Sequence, residues 1–206
     1  MALVKYNNNS ISAVTSAAAI PSGALVPIKT LTASSSSTLS FVDGSDGVTL
    51  DATYPIYKFE FINIHPATDN VTFGFQANAS GQSGYNETMT TTNFRAYHFE
   101  SDSSGLDYIT GNDQAQGTGF QIICGDVGNV SDESIVGVLH LFSPSSTTFV
   151  KHFMSRFEGN ASSNYAIDMY TAGYFNTTSA IDEIQFKMSS GNIDSGKIKL
   201  YGIKDS

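Results

Sequence analysis

At 206 residues the chain is long enough for a single all-β domain with one core, and a net charge of −9 with only ten Lys and Arg argues against nucleic acid and anionic membrane surfaces. Hydrophobic residues at 40% and aromatics at 12% can fill an interior, while charged residues at 14% fall below the usual quarter or so of a globular chain. The surface is therefore expected to be rich in Ser, Thr, Asn and Gly, and no apolar run approaches the roughly 20 residues of a bilayer span.

The first residues, MALVKYNNNSISAVTSAAAIPSGALV, have no continuous apolar stretch, because Asn7, Asn8, Asn9, Ser10, Ser12, Thr15 and Ser16 interrupt it, so no signal peptide is expected. Pro21, Gly23 and Pro27 break regular structure here, and GALVPIKTLTAS reads as an extended strand leading to a polar hinge, SSSSTLS. Residues 1–38 are read as an arm and hinge. Its apolar side chains, Leu3, Val4, Tyr6, Leu25, Val26 and Ile28, are the candidate attachment residues, either disordered or ordered only against a neighbouring subunit.

From residue 39 to 206 the text alternates strand and turn. FVDGSDGVTL runs a strand into a Gly/Asp turn, and PIYKFEFINIH followed by VTFGFQANA reads as the clearest hairpin, closed by Pro66, Asp69 and Asn70. TTTNFRAYHFES supplies another strand. SDSSGLDYITGNDQAQGTG reads as a long loop at one end of the domain, where binding function often sits. FQIIC, SIVGVLHLF, TFVKHFMSRFEG, YAIDMYTAGYF, IDEIQFKMSS and KIKLYGI follow at intervals near a dozen residues. That spacing predicts an all-β, jelly-roll-like antiparallel β-sandwich with little helix.

Chemistry is thinly signalled. Cys124 stands alone within FQIICGD, which rules out an intrachain disulfide and suits a buried strand residue. His65, His98, His140 and His152 share no metal-ligand spacing, although His140 and His152 flank one hairpin. The acids gather in turns and match no EF-hand pattern, and the Asn-x-Ser/Thr sites at Asn8, Asn70, Asn78, Asn86, Asn129, Asn160 and Asn176 are expected by chance in such a composition. No catalytic, metal or cofactor residues are assigned. Tyr85, Tyr97, Tyr108, Tyr165, Tyr170 and Tyr174 lie in or beside expected loops, where tyrosines anchor interfaces or stack on sugar rings, and Tyr85, Leu106, Tyr108 and Ile109 are the candidate surface contacts.

The stretches MALVKYNNNSISAVTS, FEFINIHPATDNVTFGFQANASGQSGYNETMTTTNFRAYHFES, HLFSPSSTTFVKHF and AGYFNTTSAIDEIQFKMSSGNIDSGKIKLYGIKD resemble small virion-associated proteins of tailed phages of marine and cyanobacterial hosts. The resemblance spans most of the chain. It implies a non-enzymatic structural protein, assembled in the host cytoplasm and carried on the virion surface. Its partners would be other virion proteins of capsid or tail, and it would form a homotrimer. A capsid decoration or head-fibre protein held by the arm is the first reading, favoured by the absence of a shaft with repeats or heptads. A tail-fibre or adhesin-like module for host surface glycans is the second, and an enzyme or other soluble factor the third.

Overall fold

The computed structural model describes residues 24–205 and is all-β, with thirteen strands and one short 3₁₀ turn at Thr110–Asn112. The strands are β1 (Leu25–Thr32), β2 (Leu39–Val42), β3 (Ile56–Pro66), β4 (Val71–Ala79), β5 (Met89–Phe99), β6 (Ser104–Tyr108), β7 (Ala115–Gly117), β8 (Gln121–Val127), β9 (Ile135–Phe142), β10 (Lys151–Ala161), β11 (Tyr165–Phe175), β12 (Ile181–Met188) and β13 (Ile193–Ile203). Every ladder is antiparallel.

Eight strands form the expected jelly roll. One sheet runs β1-β13-β3-β9 and the other β2-β12-β4-β8. Counted in chain order among these eight, they read first-eighth-third-sixth and second-seventh-fourth-fifth, the strand order of a two-sheet jelly roll. The other strands are two insertions, β5–β7 between β4 and β8 and β10–β11 between β9 and β12. They continue the first sheet past β9 in the order β10-β11-β5, with β6 and β7 both pairing β5. A single pairing, Ala161 with Val127, joins β10 to the edge of the second sheet.

Period-two alternation decides what each strand buries. On β3, Tyr57, Phe59 and Phe61 point inward while Lys58 and Glu60 face out and pair at 2.6 Å. Across the core, Phe186 of β12 is ringed by Phe41, Phe59, Phe61, Phe73 and Phe75, with centroids 5.0–6.3 Å away. Phe75, Phe153 and Phe175 carry the same packing under the inserted strands.

Three sequence expectations change. Residues 25–32, read as arm, are the first jelly-roll strand, paired with β13 along Leu25–Thr32. Ile28 and Leu31 pack against the core, and the irregularity between Pro27 and Lys29 fits a proline on an edge strand. The domain thus begins at β1 and not at residue 39. Second, β3 and β4 do not pair. Their facing phenylalanines, Phe61 and Phe73 at 5.8 Å, place them in opposite sheets, so the turn with Asn70 at φ 53° crosses the sandwich. Third, the polar stretch 101–119 is not one loop, since β6 and β7 add backbone pairing to β5.

Candidate functional site

The inserted strands expose a broad face. On β10, Phe153, Ser155 and Phe157 are buried, which turns His152, Met154, Arg156 and Glu158 outward. By register, Tyr174, Ala172, Tyr170 and Asp168 of β11 lie beside them, followed by Thr90, Thr92, Phe94 and Ala96 of β5. Tyr108 and Leu106 of β6 continue the rows from Phe94 and Ala96. The face is therefore set by alternation in four consecutive strands of the sheet.

Its distal half is aromatic and well exposed. Phe94 and Tyr170 stack with centroids 4.8 Å apart and planes 4° apart, and the Arg156 guanidinium sits 5.1 Å from the Tyr170 centroid. Arg156 donates through Nε and Nη2 to both oxygens of Asp168, at 3.0 and 2.8 Å, and this carboxylate raises the Arg156 pKa. The Tyr170 hydroxyl donates to Asp168 Oδ2 at 3.1 Å, and Thr92 donates to the Tyr108 hydroxyl at 3.3 Å. Leu106 is 72% exposed, Tyr108 59% and Met154 56%, so among the described residues this edge offers uncovered apolar surface.

The proximal half is a groove of about 730 Å³ lined by Phe142, His152, Met154, Ala172, Tyr174 and Thr90 among others. Ala172 and Gly173 make its floor. A Cβ on Gly173 would stand 2.6 Å from the Thr90 carbonyl oxygen, so β11 and β5 approach closely only because this residue has no side chain. Beside the groove His140 is half-buried, and burial together with the neighbouring Lys58 charge holds its pKa below the ordinary imidazole range.

Beneath the face, Arg95 Nη1 donates to Asp126 Oδ2 at 2.8 Å, and the Tyr165 hydroxyl donates to the same oxygen. Burial and this carboxylate push the Tyr165 phenol well up. The trio ties β5, β8 and β11 together. Among the described residues no group of three or more His, Cys, Asp or Glu is placed to hold a metal ion.

Of the residues singled out from sequence, Leu106 and Tyr108 lie on this face. Ile109 is partly buried against the core and donates its N–H to the Asn93 carbonyl at 3.0 Å, so it is a packing residue. Tyr85 is half-buried elsewhere, its hydroxyl donating to Glu183 at 2.7 Å. Leu25, Val26 and Ile28 are strand residues of β1, and Leu3, Val4 and Tyr6 lie outside the described residues. Tyr170 and Tyr174, read from sequence as part of a tyrosine platform, lie on the face as well, within β11. Sequence reasoning missed Phe94, Phe142 and Met154, although the alternation in KHFMSRFEG carried the signal for Met154.

No protein-family model, curated protein or solved structure matches this chain.

Proposed function

We propose that the chain is a non-enzymatic structural protein of a tailed-phage particle, a capsid decoration or head-fibre subunit that acts by contact. The observation that carries the reading is the exposed outer face of β10, β11, β5 and β6, where Met154, Phe94, Tyr108 and Leu106 leave apolar surface uncovered on an otherwise hydroxyl- and amide-rich chain. On this reading the subunit forms a homotrimer, sits on the virion surface beside other virion proteins, and keeps as its attachment arm only the residues ahead of β1.

The test is co-sedimentation of purified chain with phage particles that lack it, comparing the native protein with the Leu106→Asp, Tyr108→Asp pair. Both side chains are exposed, so the fold should survive and binding should drop by about tenfold or more, as for loss of one or two interface anchors. Equal binding by the variant would move the contact off this face. Failure of the native chain to bind any such particle would remove the virion reading.

A second reading, a glycan-binding module of a tail fibre or adhesin, is favoured by the Phe94, Tyr170 and Tyr108 rings lying together with the Arg156–Asp168 pair, since sugars stack on rings and bond to charged pairs. A glycan array probed with native protein and Tyr170→Ala separates the two.

A further inference from the structure

The outer face ends in a strand with one side unused. β6 pairs only β5, and among the described residues no backbone or side-chain group bonds to its free side. Two bonds at the ends of the ladder fix which of its backbone groups are already taken. The Ile109 N–H donates to the Asn93 carbonyl at 3.0 Å, and the Phe99 N–H donates to the Ser103 carbonyl at 2.7 Å. Bonded pairs alternate with unbonded ones along an antiparallel ladder, and this one has no register shift, so Asp107 and Gly105 bond to Arg95 and Tyr97. The N–H and C=O groups of Ser104, Leu106 and Tyr108 therefore point away from β5.

A row of free donors and acceptors at strand spacing is met by another strand. The other outermost strands are blunted. β1 carries Pro27 and an irregularity before Lys29, while β2 and β7 are only 4 and 3 residues long. β6 has neither proline nor lysine, and its outer side chains, Leu106 and Tyr108, are well exposed. Its one charged residue, Asp107, alternates to the inner side of the sheet, where a carboxylate oxygen lies 3.7 Å from Arg95 Nη2.

We infer that β6 is a self-association edge, paired antiparallel with β6 of a second copy about a two-fold axis at Leu106. The free groups and the charge together set this register. An axis at Leu106 sets that residue opposite its own copy and Ser104 opposite the second copy's Tyr108, so outward groups meet only outward groups. Each of these pairs exchanges both of its backbone bonds. Asp107 then stands opposite a glycine, the second copy's Gly105. An axis at Asp107 would instead set two carboxylates opposite each other, and one at Gly105 would leave Tyr108 opposite Asp102, beyond the end of the strand. On the outer face the two leucines become a cross-strand pair, and the Ala96–Leu106 and Phe94–Tyr108 rows run on into the second copy. The contact needs only the β6 edge, and where three copies also assemble about a three-fold, this axis joins subunits of different trimers.

Single cysteines in the full-length protein test the edge and its register together, since Cys124 is buried and does not compete. Bonded partners in an antiparallel pair stand about 5.5 Å apart at Cα, within disulfide reach, so folded Leu106→Cys protein should oxidise to a covalent dimer. Ser104→Cys is the control. Its two copies would lie about 13 Å apart along the strands, and at the same protein concentration it should cross-link at least about tenfold more slowly. Adding Ser104→Pro to Leu106→Cys removes an outward N–H and leaves the β5 ladder whole, so the rate should fall to that of Ser104→Cys. Circular dichroism checks that each variant is folded. Equal cross-linking of Leu106→Cys and Ser104→Cys would overturn the inference, as would a folded double variant that cross-links as fast as Leu106→Cys alone.

Discussion

Phe94 of β5 and Tyr170 of β11 stack ring on ring, centroids 4.8 Å apart and planes 4° apart, across a ladder in which they are direct register partners. The pair is partly exposed, so its energy should be measurable without disturbing the core. A double-mutant cycle of Phe94→Ala and Tyr170→Ala, read by urea unfolding, should return a coupling of about 0.5–1.5 kcal/mol. Strictly additive losses would mean that the rings do not stack in solution.

Phe186 is the position on which the two sheets converge, since its ring meets five others from β2, β3 and β4. Phe186→Ala should cost about 3–5 kcal/mol, the range for a large aromatic removed from a packed core. Phe149 is 72% exposed in the β9–β10 connection. Phe149→Ala should stay within about 0.5 kcal/mol, as surface changes usually do. Equal losses at the two sites by denaturant titration would contradict the packing.

The class of fold was legible because most strands alternate cleanly and are punctuated by Asp, Asn and Gly turns, as in DGSDG, where Asp46 has φ 50° and Gly47 φ 78°. Partner choice was not legible. The turn between β3 and β4 carries hairpin residues, yet both strands bury phenylalanine rows that must face each other, so long-range packing overrode the local signal. β1 read as an arm because an edge strand has one free side, here tolerating Pro27 and burying Val26, Ile28 and Leu31 only in part. β6 and β7 read as loop for a related reason, since they are short, lie outermost on β5 and have no buried residue to mark an inner face. The contact face was half visible. Leu106, Tyr108, Tyr170 and Tyr174 stood out, whereas Phe94 and Met154 sit within strands whose other side is core, and only the register shows which side is which.

Cys124 is fully buried, and desolvation together with nearby Asp126 and Glu158 pushes its thiol far above the ordinary range. The native protein should not react with a thiol reagent at about pH 8, although a free cysteine is partly thiolate there. Labelling should follow global unfolding. Cys124→Ser should cost about 1–3 kcal/mol, because the thiol lies 3.7 Å from the Gly125 carbonyl, too far for a hydroxyl bond, and the serine hydroxyl would be buried without a partner. Fast labelling of folded protein would show that the β8 region opens locally.

Lys151 at the start of β10 is fully buried, its ammonium donating to the carbonyls of Phe149 at 3.0 Å and Thr177 at 3.2 Å. Burial lowers its pKa, partly opposed by Glu87. The folded chain therefore releases this proton at a lower pH than the unfolded chain does. Between the two values the unfolded state binds more protons, so stability must rise with pH across that window. The native protein should gain stability relative to Lys151→Met as pH is raised from about 8 to about 10, approaching the ordinary lysine value. Urea midpoints at several pH values check the sign. A difference that stays flat or falls would mean that the ammonium is solvated in the folded state.

Truncation separates the segment ahead of the fold from the fold itself. Removing residues 1–23 leaves β1 intact, so the jelly roll should unfold at nearly the native temperature. Removing residues 1–30 takes Leu25 to Thr30, six of the eight residues of β1, and with them most of the ladder to β13. It strips Ile28 from the core margin, leaves Leu31 without a strand to hold it, and bares the β13 edge at Tyr201, Gly202 and Ile203. It also removes Lys29, whose ammonium pairs with Asp46 in the turn after β2. Partial burial of two aliphatic side chains is worth about 3 kcal/mol, and for a domain of this size that corresponds to about 6–12 °C in Tm. The exposed strand edge should also promote association. Calorimetry of the two truncated proteins beside the native chain, with sedimentation to follow association, tests the assignment. If the 1–30 deletion unfolds at the same temperature as the 1–23 deletion, residues 25–30 are a detachable arm and the jelly roll stands without its first strand.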